Sequence, residues 1–325
     1  MKSDKRIAVV LFQLGGPDSL EAVEPFLYNL FCDPDIINFP GAFLARKPLA
    51  RLISTRRSKI VEERYMEIGG KSPIIDLTHE QARALQMELN RHFQASVYVA
   101  MRYWHPFTGE VIAELKEKRF DKLILLPLYP QCSKATTVSS LNEWKRQSER
   151  LNFNSTPTET IHSYHNHPLY IEAIVARTNS VYEKFSGVNP GDIDLVFSAH
   201  GVPLSLIEQG DPYQQQVEET VQLVVAKGRW QSPHVLCYQS KVGPAEWLKP
   251  SLTNTIRELA LKGRKRLLVI PIAFVTEHIE TLHEINIEAR EDAARLGIDQ
   301  FEMMPAINSH PKFIECLSDL VLKNI

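Results

Sequence analysis

Four cysteines in 325 residues, none in a CxxC pair, give this chain no sequence signal for a zinc site, an iron–sulfur cluster or a disulfide framework. Cys32, Cys132, Cys237 and Cys316 are scattered, as in a cytoplasmic protein that keeps free thiols. Long apolar runs are missing too, and nothing approaches the ~20 residues of a membrane span. The apolar stretch within the opening MKSDKRIAVVLFQLGG is too short for a signal peptide and lacks a small-residue cleavage site. Neither sign of charge is in excess: the formal net charge is −2, so no global basic field would draw nucleic acid. Local basic runs occur in RKPLARLISTRRSK (46–59) and KGRKR (262–266), the second reading as a solvated helix end before a strand. The GxGxxG turn of a dinucleotide-binding domain is also missing. LGGPDS (14–19) follows the first strand instead, which disfavours a dehydrogenase.

What is present is ordinary for a soluble protein, 44% hydrophobic and 23% charged, at a length natural for two domains. Short β-branched runs at 7–14, 96–103, 122–129, 194–199, 234–239 and 266–274 predict strands. They are continuously apolar rather than alternating, as expected of parallel strands buried on both faces. Amphipathic segments of helical length lie between them, so the chain reads as α/β with βαβ units.

An internal echo predicts a duplication. IAVVLFQLGGP pairs with DLVFSAHGVP, YVAMRYWHP with VLCYQSKVGP, and KLILLPLYP with RLLVIPIAF, in the same order in both halves. The expectation is two similar Rossmann-like domains, 1–155 and 156–325, each a parallel sheet flanked by helices, with a cleft between them and a last helix free to pack back on the first domain. Ligands of open α/β sheets sit beyond the carboxyl ends of the strands, and the polar motifs of both halves fall there.

The segment VIPIAFVTEHIETLHEINIEA (269–289) runs from a buried strand into a helix loaded with carboxylates. At about 100° per residue Glu277, Glu280, Glu284, Glu288 and Glu291 fall within roughly 80° of arc. Ile279, Leu282, Ile285, Ala289, Ala293 and Leu296 take the opposite side. Such a row serves either water or cations, and the pattern alone leaves both open. His200, in FSAHGVP, stands at a strand's carboxyl edge, where an imidazole can accept protons or coordinate a metal. If its strand neighbours the one before the acidic helix, His200 and Glu280 face one cleft. Imidazole plus carboxylate suits ferrous iron better than a closed structural zinc site. Tyr65, Arg102, Tyr103, Trp104, Tyr129, Tyr238 and Trp247 fall in or beside the edge loops, serving either the core or, with Lys134 and Lys241, a flat apolar ligand bearing acidic groups.

Eight segments, in order and nearly end to end, resemble the ferrochelatase family: LGGPDS, RRSKIVEERYMEIGGKSPI (56–74), MRYWHP (101–106), LYPQCSKATTVSSLN (128–142), FSAHGVPLS (197–205), GDPYQQQVEETV (210–221), YQSKVGPAEWLKPS (238–251) and PIAFVTEHIETLHEI (271–285). The resemblance implies a lyase that inserts Fe²⁺ into protoporphyrin IX, giving protohaem and two protons, the last step of haem biosynthesis. His200 and Glu280 match the family's essential histidine and glutamate, and Glu284 and Glu288 match acidic positions continuing the metal site along the helix. Arg102, Tyr103 and Trp247 match porphyrin-cleft residues, and Arg64, Tyr65 and Ser72 match the mobile lip. Leu14 stands where coproporphyrin-type members carry a tyrosine, which fits a protoporphyrin-using bacterial enzyme.

Iron is then a substrate, and no tightly bound cofactor is expected. The sequence given ends at LVLKNI without the cysteine-bearing extension of animal members, so neither an iron–sulfur cluster nor a strong dimer is expected: monomer or weak dimer. The apolar and basic lip at 39–57 either touches a membrane surface or packs on its own domain. The expected location is cytoplasmic, with a periphery at the inner membrane under the first reading. In the expected chemistry, binding energy bends the macrocycle, His200 takes protons, and Glu280 orients it or hands over metal. A sirohydrochlorin-type cobalt or nickel chelatase and a non-enzymatic tetrapyrrole carrier are the alternatives.

Overall fold

A computed structural model describes residues 3–36, 42–240 and 245–325, so Lys241 and the first part of the 39–57 lip lie outside the described residues. The chain forms two compact units, Met1–Ser163 with Ile314–Ile325, and Tyr164–Phe313. The final helix, Pro311–Leu322, thus belongs mostly to the first unit.

In the first unit, β1 (Ser3–Gln13), β2 (Phe93–Met101), β3 (Lys122–Pro127) and β4 (Thr158–Thr160) form a parallel sheet in the order β2-β1-β3-β4. The central strand is buried along both faces from Ile7 to Phe12, which is why its sequence shows no alternation. Ala8, Val10 and Phe12 pack with Ile112, Leu115 and Trp144 of the flanking helices.

The second unit repeats the plan. Here β5 (Asp194–His200), β6 (His234–Gln239), β7 (Arg266–Pro271) and β8 (Gln300–Met303) run parallel in the order β6-β5-β7-β8. Strand for strand this is the order of the first sheet, matching the echo between the two halves of the sequence. Sequence reasoning missed β4 and β8. Both are edge strands of three or four residues, too short to show a hydrophobic pattern.

Each unit also carries an i→i+5 hydrogen-bonded π segment in the helix after its third strand: Lys134–Val138 in the first and Glu280–Ala289 in the second. The sequence reading assumed ordinary α-helical turns there. Such segments occur frequently at functional sites, and the second extends over ten residues. Its inner face places Ile285 and Ala289 against Val196, Val269 and Phe301, with Ala293 of the following α-turns beside them. Leu296, placed on this face by the sequence pattern, is instead 40% exposed.

Because Ile285 is fully buried under the sheet, Ile285→Ala should lower the unfolding free energy by about 2–5 kcal/mol. Urea denaturation checks this, and a loss below about 1 kcal/mol would show that the helix is not anchored by this contact.

Candidate functional site

The second unit builds its site at the carboxyl ends of adjacent strands β5 and β7. His200 is the last residue of β5 and sits in register with Gln239 of β6. The tight turn after it depends on Gly201, whose N–H donates to the Gln239 carbonyl at 2.7 Å. A Cβ there would lie 3.0 Å from that carbonyl. Tyr213 donates its hydroxyl to the His200 carbonyl at 3.0 Å, fixing the backbone from behind.

Across from it, β7 stops at Pro271 and the chain turns through 272–279 into the π helix. Glu277 holds this turn. It is buried, its carboxylate accepts from the Ala306 N–H at 2.8 Å and from the Thr281 hydroxyl, and its own N–H donates to Asn308 Oδ1 at 3.1 Å. The acidic row therefore loses Glu277, which is a strut. The periodicity cannot show this, because the wall that buries Glu277 comes from residues 306–308.

With the turn fixed, Glu280 meets His200: Nδ1 to Oε2 is 2.7 Å. The imidazole stands edge-on to Trp247 and Phe274, with ring centroids 6.5 Å away in each case. A third group completes the cluster. His278 stacks on Phe274 at 4.7 Å, pairs its Nδ1 with the Thr276 carbonyl at 3.1 Å, and brings Nε2 to 3.8 Å from the same Glu280 oxygen. Gln239 donates to the Glu280 carbonyl at 3.4 Å and accepts from the buried Ser198 hydroxyl at 2.8 Å. His278 lies within the quoted segment PIAFVTEHIETLHEI, and its place in the turn between the strand and the acidic helix is the signal for it.

Charge sets the state of this pair. Burial works against an imidazolium at His200, but the charge and hydrogen bond of Glu280, with help from Glu284, outweigh it and hold the histidine above its ordinary 6.5. Burial opposes the Glu280 carboxylate in the same way, yet His200 and then His278 hold it well below the usual carboxylate range. Glu280 is thus an anion, and the His200 nitrogen facing it is the one that carries hydrogen. Nε2 is left as the lone pair of the neutral ring.

Beyond Glu280 the carboxylates lead into a groove of about 1200 Å³, lined among others by Ser240, Trp247, Glu258, Glu284, Glu288 and Glu291. Ser240 donates to Glu284 Oε2 at 2.5 Å, and Glu288 Oε1 lies 3.8 Å from Nδ1 of buried His283. Two buried donors in this region, Trp247 Nε1 and Tyr238 Oη, have no hydrogen-bond partner among the described residues. Such orphans are costly unless a ligand or water meets them.

The first unit places its predicted residues differently. Arg102 and Tyr103, at the end of β2, turn their polar ends inward onto Asp33. The guanidinium lies 2.9 Å from Oδ1, and the phenol donates to Oδ2 at 2.7 Å. Ser139 donates to the same Asp33 oxygen at 2.5 Å and accepts from Arg102 Nε at 2.9 Å. Asp33 is fully buried and its demand is met from three sides. Burial, and then the Asp33 charge, push the Tyr103 phenol well above its ordinary value, so it stays a neutral donor. Leu14 is half-buried beside them, its carbonyl accepting from the Tyr103 N–H at 2.9 Å. Ser72 is buried against the same turn. Its N–H donates to Pro17 at 2.8 Å, and a Cβ on Gly16 would come within 2.5 Å of it. Tyr65 is buried and Arg64 half-buried at the end of helix Ala42–Glu67.

Comparison with known proteins shows the family. The profile of the Ferrochelatase family matches residues 6–325. The chain is 47% identical to the ferrochelatase of Trichodesmium erythraeum, covering 98% of this chain and 82% of that one. It is 48% identical to that of a Picosynechococcus species, covering 98% and 83%. Among solved structures, SirB from Bacillus subtilis with Fe³⁺ aligns over 98% of this chain and 95% of its own, with a TM-score of 0.58 at 12% identity, a likeness of fold. The match over nearly the whole chain, with relatives this similar, shows that the chain belongs to the ferrochelatase family.

Proposed function

We propose that this protein is a lyase that inserts Fe²⁺ into protoporphyrin IX to form protohaem, with release of two protons. The observation that carries the proposal is the His200–Glu280 pair at adjacent strand ends, followed along the same helix by Glu284 and Glu288, which line a groove. Family membership supports the reaction class, and the chemistry of the residues supports the assignment of roles.

A free porphyrin is flat, and two pyrrole N–H groups occupy its centre. Binding energy spent on bending it, typically about 1–5 kcal/mol of strain, exposes the nitrogen lone pairs. Neutral His200 then accepts a proton at Nε2, and the imidazolium it becomes is stabilised by Glu280 at Nδ1. The second proton follows by the same route once His200 has given up the first. His278, with Nδ1 at the Thr276 carbonyl and Nε2 3.8 Å from the same carboxylate oxygen, flanks Glu280 on its other side. Among the described residues no three histidine, cysteine or acidic side chains are gathered into one metal-holding group. Glu280, Glu284 and Glu288 are therefore read as holding ferrous iron in turn and loosely, through oxygen, which suits a metal that must move on.

The buried polar atoms of Trp247 and Tyr238 are suited to the acidic edge of such a ligand. In the first unit, Leu14, Arg64, Tyr65, Ser72, Arg102 and Tyr103 are read as shaping the porphyrin side. There the Asp33 network fixes Arg102 and Tyr103 as a rigid wall. No helix among the described residues is long and apolar enough to cross a membrane. Helix Ala42–Glu67 does expose Leu44, Leu52 and Ile60 on a surface that also carries Lys47, Arg51 and Lys59. These exposed residues support a lip that touches an anionic membrane surface, in an enzyme we read as cytoplasmic.

An anaerobic assay with Fe²⁺ and protoporphyrin IX tests the proposal: wild type should form haem, and His200→Ala should lose about 10²–10⁴-fold in kcat. Equal haem formation by the two would remove His200 from the mechanism, and activity on coproporphyrin III alone would replace the substrate. The pH profile follows from the raised His200 value. His200 can accept a proton only when neutral, so kcat/KM should fall with decreasing pH along an acid limb whose midpoint lies above 6.5. A midpoint below 6.5 would contradict the pairing with Glu280.

A further inference from the structure

Two helices of the second unit carry a buried tyrosine in their first turn: Tyr170 in helix Pro168–Tyr182 and Tyr213 in helix Tyr213–Gly228. Both phenols donate outside their own helix, to a backbone carbonyl at the end of a strand. Tyr213 reaches His200 at 3.0 Å, and Tyr170 reaches Ile272 at 2.9 Å, across 102 positions of sequence.

These two carbonyls lie on either side of the His200–Glu280 pair. The pairing of β5 with β7 ends at Ser198 opposite Pro271, so His200 and Ile272 both lie past the last rung between the two strands. Ile272 opens the turn that leads to Glu280. Its N–H still donates to the Ser198 carbonyl at 2.9 Å, and Tyr170 takes up its carbonyl. His200 keeps Gln239 of β6 as its neighbour, and Tyr213 takes up its carbonyl. Where the ladder between the two strands stops, the phenols hold the backbone instead.

Each phenol is itself firmly held. A tyrosine ring has few side-chain torsions and is fixed at little entropic cost. Tyr170 packs edge-on against Tyr164, with centroids 5.8 Å apart, and lies 6.3 Å from Phe313. The N–H of Tyr213 donates to the buried Asp211 carboxylate at 3.0 Å. Burial, and then the neighbouring Tyr238, Glu280 and Tyr170, push the Tyr213 phenol well above its ordinary value, so it stays a neutral donor.

A buried phenol bond stabilises a fold wherever it stands. Tyr182, the last residue of the helix that begins near Tyr170, shares one with Ser232 Oγ at 2.7 Å, ahead of β6 and so at the amino end of the sheet. Tyr170 and Tyr213 differ from it in place: each holds one of the two strands that carry the reacting pair, and proton transfer depends on such placement.

We propose that Tyr170 and Tyr213 act together as positioning residues for proton transfer: each phenol fixes the backbone on one side of the His200–Glu280 pair, and the two jointly set the separation across which the pair works. This rests on the reading of the protein as an iron-inserting enzyme with His200 as its base.

Tyr213→Phe, Tyr170→Phe and Tyr182→Phe each remove one hydroxyl and keep the ring. Melting temperature, kcat and both KM values are measured with Fe²⁺ and protoporphyrin IX, anaerobically and well below the lowest melting temperature. All three variants should melt lower than wild type, and Tyr182→Phe should keep the wild-type kcat. Tyr213→Phe and Tyr170→Phe should each lose about tenfold in kcat, a fraction of the roughly 10²-fold that about 1 Å of misplacement costs. Their KM values should be unchanged. Residues that act as a unit do not contribute independently, so the double variant should lose far less than the product of the two single losses.

A wild-type kcat in Tyr213→Phe or in Tyr170→Phe would overturn the proposal. So would losses that multiply in the double variant, or an equal loss in Tyr182→Phe. If wild type itself makes no haem, the functional reading fails. NMR signals of the His200 ring then still decide the positioning: they should shift in Tyr170→Phe, whose hydroxyl holds the other strand, and stay in place in Tyr182→Phe. Signals unmoved by Tyr170→Phe would overturn it.

Discussion

The second unit is organised around one ion pair. Glu280 lies in a largely buried position where a lone carboxylate would be forced to take up a proton. His200, 2.7 Å away, makes the anion stable, and the anion in turn makes the imidazole a better base. That reciprocity works only if both backbones are held to within a few tenths of an ångström. Parallel pairing of β5 with β7 sets the coarse distance. Finer adjustment comes from Tyr213 on the His200 carbonyl, Gln239 on the Glu280 carbonyl, and Glu277 bracing the turn before the helix. Each of these is a hydrogen bond to backbone or from a buried side chain, so the acid–base pair is preorganised by the packing of the sheet rather than assembled on demand.

The duplication shows how one frame carries two chemistries. Both units have the same strand order, and both open the helix after the third strand with a π segment. In the first unit that segment reads KATTV and runs into Ser139, whose hydroxyl joins the neutral and ionic contacts around Asp33. In the second it reads ETLHEINIEA and delivers carboxylates. The first network is closed, with Asp33 answered by Arg102, Tyr103 and Ser139. The second faces a groove. A satisfied buried network rigidifies, while the second network lines a groove with negative charge.

Much of this was legible in the sequence, for a physical reason: parallel strands buried on both faces must be continuously apolar, and ligand-binding loops must follow them. That logic located six of the eight strands, the repeat and the edge position of His200. It failed where the deciding contact is remote in sequence. Glu277 has the periodicity of the acidic row, but the backbone of Ala306 buries it. Arg102 and Tyr103 sit at a strand edge, but Asp33, some seventy residues away, takes their polar ends. The π turns of Glu280–Ala289 leave no mark on composition, and β4 and β8 exist only because a neighbouring strand offers them an edge.

The central claim is that Glu280 raises the proton affinity of His200. Site-resolved NMR titration of the His200 ring in wild type and in Glu280→Gln measures it directly. In wild type His200 should titrate above 6.5. Replacing the carboxylate removes the favourable charge but leaves the burial, so in Glu280→Gln the midpoint should drop below 6.5. A His200 midpoint that is the same in both proteins would contradict the account.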